Sequence, residues 1–191
     1  MARQTRTIDT QFDTRDENQE KTIEGYFVVY DRETELTDGI YEKIDRDAFK
    51  NQLSADVRAL INHDTTMVLG RTKSNTLELK SDNFGLYGKI KINEKDQDAV
   101  NIYERVKRGD VSQCSFGFSI NSEEYEERAD GVLFTIKDVN LYEVSVCTFP
   151  AYEDTSVQAR SKQVDEMLEK KIDIWKNKMK ERLNNVKTNN A

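Results

Sequence analysis

From Thr22 to Cys147 the chain is built of short runs of β-branched and aromatic residues separated by turn residues, and this commits it to a β-rich fold. Residues 22–30 read as a buried strand, 41–44 as a short alternating one, and 57–61 as another that delivers Asn62-His63-Asp64 at its end. Residues 76–80 and 86–92 alternate around Asp82-Asn83, the pattern of a hairpin. Residues 114–120, 132–136 and 141–147 complete the strands, with Asp130-Gly131 as a turn. Helical signals are fewer. Asp45 can cap a helix over residues 47–53. Val100, Tyr103 and Val106 mark an amphipathic helix that Gly109 ends. After Ser161, the apolar residues Val164, Leu168, Ile172, Trp175, Met179, Leu183 and Val186 recur in steps of three and four, which is helical. The expectation is an α+β, β-rich, barrel-like domain over residues 21–160, flanked by helices. A polar arm or weak first strand covers 1–20, and a C-terminal amphipathic helix covers 161–191.

The bulk properties exclude several classes. A net charge of −7 argues against a general nucleic-acid binder. No run approaches the ~18 apolar residues of a membrane span. Met1-Ala2-Arg3-Gln4 leads into polar sequence rather than a secretory apolar segment, so a cytoplasmic setting is expected. Cys114 and Cys147 form no CxxC or Cys/His cluster, so no metal site is expected; a disulfide is possible on paper but a cytoplasmic setting argues against it, and both read as small buried residues.

The candidate chemistry centres on His63, the one histidine of the chain. A neutral imidazole at a strand end is a natural general base. Ser115, in Cys114-Ser115-Phe116-Gly117-Phe118, is a candidate nucleophile on a rigid element, and Gly117 allows close backbone approach. Ser112, Ser119 and Ser145 compete with it by composition alone. Glu143 is an acidic residue inside the apolar run 141–147, where it must either face solvent or be paired, and it could orient the imidazole. Asp64, next to His63, points to the opposite face of a strand; Asp138 and Asp154 are further candidates.

Several segments together resemble the caudovirus prohead protease family. They are Gly25-Tyr26, Ala48-Phe49, Asn62-His63-Asp64 with Leu69-Gly70-Arg71-Thr72, and Gly85-Leu86. The series continues with Gly109-Asp110-Val111-Ser112 leading to Ser115-Phe116-Gly117-Phe118, then Glu143-Val144-Ser145, Phe149-Pro150-Ala151-Tyr152 and Asp154-Thr155. Gln113-Cys114 departs from the glycine and hydrophobic residue more usual there. That family is similar in fold to herpesvirus assemblin, a β-barrel serine protease. The resemblance implies His63 as base, Ser115 as nucleophile and Glu143 as third member, where assemblin has a second histidine. No metal or cofactor is implied. Arg71 is a further candidate on chemical grounds, since a guanidinium beside the site would favour the negative charge of an oxyanion. The resemblance also implies a setting: the host cytoplasm, inside an assembling procapsid, with major capsid protein, its scaffolding segment and the chain itself as substrates. Self-association is left open. The alternative is a non-catalytic capsid-assembly or scaffold-binding protein.

Overall fold

A computed structural model describes residues 3–9, 12–17, 20–149, 160–170, 172–173 and 176–177. The chain divides into two units, Met1–Glu153 and Asp154–Ala191. In the second, residues 160–170 are helical, and Lys162 and Glu166 pair one turn apart. Pro150 and Asp154 lie outside the described residues.

The first unit holds two sheets. The larger has seven strands. Its main path runs β1 (Gln4–Asp9), β10 (Gln113–Arg128), β11 (Gly131–Cys147), β5 (Ile40–Ile44), β4 (Thr34–Thr37). Off that path, β6 (Arg58–Ile61) joins β11, and β7 (Asp64–Arg71) joins β6. The smaller sheet runs β2 (Asp13–Glu17), β3 (Glu20–Val29), β9 (Gly85–Lys91), β8 (Leu77–Ser81). Residues 1–20, read as an arm or weak first strand, thus supply β1 and β2.

The α+β, β-rich reading holds, but the sheets stay open and do not close into the barrel that the strand pattern and the resemblance both suggest. The reason lies in β11. It pairs in parallel first with β5, from Val132↔Ile40 to Ile136↔Ile44, and then with β6, from Glu143↔Arg58 to Val146↔Ile61. Two short strands share one edge, so the sheet branches instead of rolling round. The polar interruption at residues 137–140, which divides the sequence pattern into two strands, lies inside one continuous strand. Irregularities in the β10–β11 register between Gly117 and Glu123 take up the mismatch.

The helix α1 (Gln97–Arg108) forms as its sequence predicts. Asp96 caps it by accepting from the Asp98 and Ala99 amides, and Gly109, at φ 87°, closes it in the left-handed region. Ala99, Ile102, Tyr103 and Val106 are its buried face. The helix expected over 47–53 does not form. Ala48, Lys50, Gln52 and Ala55 each bond the carbonyl three residues back, giving successive turns that bury Ala48 and Phe49.

One core cluster joins the sheets. On β10 it takes Cys114, Phe116 and Phe118; on β11 it takes Leu141, Val144 and Val146. Phe116 contacts Phe118 at 4.8 Å and Phe49 at 5.8 Å between ring centroids. Burying one such ring contributes about 1.5–3 kcal/mol. Because strand side chains alternate, this packing turns Ser115 and Gly117, with Glu143, Ser145 and Cys147, to the other face.

Candidate active site

His63 owes its place to a tight turn. β6 and β7 meet at Ile61↔Asp64, so Asn62 and His63 are the two central residues of the hairpin connection. Their φ angles are 50° and 61°, both positive, as a type I′ turn requires. Asn62 suits that geometry and exchanges bonds with Thr148, accepting from its amide at 2.9 Å. His63 does not suit it, since a left-handed residue with a Cβ costs roughly 1–2 kcal/mol. The strain sits on the candidate general base.

Across from the turn, β11 presents Glu143. His63 Nδ1 donates to Glu143 Oε1 at 2.7 Å. The carboxylate can only accept, which puts the ring proton on Nδ1 and leaves Nε2 as a base. Glu143 is 2% exposed. Burial alone would push its carboxyl up, but the bonds from His63, Ser145 and Arg3 outweigh burial and hold it below the ordinary carboxylate value. Glu143 is therefore paired rather than facing solvent.

Ser145 ties the two together. Its hydroxyl donates to Glu143 Oε2 at 2.6 Å and accepts from the His63 amide at 3.3 Å. It lies 3.4 Å from Nδ1, the nitrogen already bonded to the carboxylate, so it orients the pair and is badly placed to give its proton to Nε2. Sequence reasoning had it only as a competing serine. Its spacing of two from Glu143 was the available signal, since it puts both on one face.

Gly117 stands opposite Glu143 in the β10–β11 register. A Cβ there would fall 2.2 Å from Glu143 Oε1 and 2.9 Å from the Arg3 guanidinium. The glycine makes room for the carboxylate, not only for an approaching strand.

Ser115 lies opposite Ser145, on the same face, where directly paired Cβ atoms sit about 4.5–5.5 Å apart. Its hydroxyl donates to the Arg6 carbonyl at 2.8 Å, and it is fully buried. Among the described residues no hydrogen bond joins Ser115 to His63. The structure thus brings His63 and Glu143 into contact, with Ser115 beside them and bonded elsewhere.

The other candidates fall away. Asp64 accepts from the amide and hydroxyl of Thr66. Asp138 accepts from Asn121, and Ser119 bonds Tyr142. Arg71, expected to favour an oxyanion, instead grips Asp56 through two bonds of 2.6 Å, and so is committed to the β6 entry. Cys147 Sγ is 3.9 Å from His63 Nε2, but burial, then the Glu143 charge, push its thiol up to about 12. A thiol held protonated is a poor nucleophile. Both cysteines are buried thiols. Among the described residues no three His, Cys, Asp or Glu side chains gather as a metal-ligand set. No helix among them is long and apolar enough to cross a membrane. Beside Glu143 opens a cleft of about 420 Å³ lined by Arg3, Arg58, Leu60, Thr65, Val68 and Tyr142.

Residues 7–170 match the family described as Caudovirus prohead serine protease. The chain is similar to the prohead protease of Enterobacteria phage HK97, 32% identical over 142 residues, covering 72% of this chain and 59% of that protein. It is similar also to the prohead protease of Escherichia phage T5, 33% identical over 97 residues, covering 51% of this chain and 42% of that one. The chain thus spans about half the length of these relatives. Its fold is similar to that of the bacteriophage T4 capsid assembly protease, at TM-score 0.53 and 11% identity, covering 78% of this chain and 98% of the other.

Proposed function

Since the chain belongs to the caudovirus prohead serine protease family, we propose that it is a serine endopeptidase that matures a phage procapsid. In this reading Ser115 is the nucleophile, His63 the general base and Glu143 the group that orients it. The observation that carries it is the 2.7 Å bond from His63 Nδ1 to buried Glu143, which leaves Nε2 unprotonated, with the Cys147 thiol 3.9 Å away, and able to take a proton. The Ser115 hydroxyl turns from the Arg6 carbonyl to Nε2, and Oγ attacks a peptide carbonyl as His63 accepts its proton. His63 then gives that proton to the leaving amine. Water repeats the sequence on the acyl-enzyme and frees Ser115. Glu143 stabilises the imidazolium formed in each half.

The substrates are the scaffold or the N-terminal segment of the capsid protein, and the chain itself, within the assembling procapsid in the host cytoplasm. Incubating the purified chain with its capsid protein and following products by gel tests this. Ser115→Ala and His63→Ala should each abolish cleavage; persistent cleavage by either would refute the roles given. A non-catalytic role in capsid assembly draws on one observation, the bond of Ser115 to Arg6 rather than to His63. No cleavage by the unaltered chain under any assembly condition would favour it.

A further inference from the structure

We propose that β1 occupies the substrate groove, and that an extended peptide carrying Arg or Lys at the position of Arg6 binds by replacing it along β10. This rests on Ser115 being the nucleophile. A nucleophile must meet its substrate, yet Ser115 is fully buried. β1 is one of the elements that cover it. It runs antiparallel to β10 with Thr5 opposite Gly117 and Thr7 opposite Ser115, and it stands at one end of the sheet path. The group bonded to Ser115 Oγ is a main-chain carbonyl, that of Arg6, at 2.8 Å. A carbonyl is also the group that a peptide substrate offers to a protease.

A second contact points the same way. Arg3, at the start of this segment, donates to Glu143 Oε1 at 3.0 Å, the oxygen that also receives His63 Nδ1. While β1 is seated, the carboxylate is shared between the imidazole and a guanidinium. β1 and the residue before it therefore engage two members of the triad, the nucleophile through the β1 backbone and the orienting acid through the Arg3 side chain.

The side-chain preference follows from Glu42. This carboxylate is 4% exposed and receives both Nε and Nη2 of Arg6, at 2.6 and 2.8 Å, while the guanidinium lies 5.6 Å from the Phe118 ring centroid. If β1 left with nothing in its place, Glu42 would lose that cation in a buried setting, which is unfavourable. An incoming strand with Arg or Lys there restores the pair, and backbone pairing to β10 supplies the rest, as in other strand-addition complexes.

Binding tests this without relying on catalysis. The probe is a fluorescent peptide with the sequence of residues 2–11, followed by anisotropy against the Ser115→Ala chain with and without Arg6→Glu. With Arg6→Glu, which sets β1 against Glu42, the peptide should bind at least tenfold more tightly. A peptide with alanine in place of its Arg6 equivalent should lose at least tenfold. Equal binding to both chains, binding to neither, or indifference to the alanine would overturn the proposal. If Arg6→Glu does not fold, hydrogen exchange on the Ser115→Ala chain serves instead. Excess peptide should speed exchange of β1 amides while those of β3 and β9 stay protected, and unchanged β1 exchange would refute replacement. Peptide binding by a chain whose unaltered form never cleaves would uphold the groove and remove only Ser115 as nucleophile.

Discussion

His63 sits in a turn whose second residue would ordinarily be glycine, and the cost of keeping an imidazole there can be measured. His63→Gly should be more stable than His63→Ala by about 1 kcal/mol, because only glycine adopts the left-handed conformation without a Cβ clash. Urea denaturation of the two variants checks this; equal stability would mean the turn is unstrained. Gly117→Ala is expected to cut cleavage at least tenfold by driving a methyl group into the Glu143 carboxylate, with a far-ultraviolet circular dichroism spectrum like the parent's. Cys147→Ala should retain cleavage, and the Cys147 thiol should resist iodoacetamide at pH 8, because its proton is held until about 12. At this scale much was legible. His63 was the one histidine, and Glu143 stood out as a charge in an apolar run. Ser145 was not legible as an orienting group, because a serine in a strand has many bland uses and its partners come from a different strand and turn.

At the scale of elements, composition and turn chemistry carry α1, the β8–β9 hairpin and most strands. What they miss is long-range pairing. Nothing in residues 137–140 says that β11 runs on past Asp138 and Asn140, because continuity is enforced by bulged pairing with β10 and by β5 and β6 beside it. The polar first segment becomes β1 for the same reason, since its partner lies over a hundred residues away. The turns at 45–55 fail as a helix because Gln52 is drawn inward, where its side-chain oxygen accepts from the Leu141 amide at 3.1 Å. Gln52→Leu would leave that buried amide without its partner and should destabilise the fold by about 1–3 kcal/mol. The midpoint of urea unfolding reads this directly.

For the whole molecule, acid is the revealing variable. Glu143 and Glu24 are both buried, which alone would raise their carboxyls. Their bonds prevail: His63, Ser145 and Arg3 for the first, and Tyr87, Thr22 and Lys89 for the second, so both titrate below the ordinary value. A folded pKa below the unfolded one stabilises the fold above the unfolded value, about 4.3 for glutamate, and that stability is lost as pH falls through the folded value. Urea stability should therefore hold from pH 7 to about 5 and decline below about 4, less steeply in Glu24→Gln. An unchanged slope would show that these networks do not set acid resistance. The central claim, that Ser115 is a nucleophile served by His63, has a more direct measurement: treating the chain with a fluorophosphonate and mapping the adduct by peptide mass spectrometry. The adduct is expected on Ser115, and absent in His63→Ala. An adduct on Ser145, or labelling of Ser115 that persists undiminished without His63, would contradict the account.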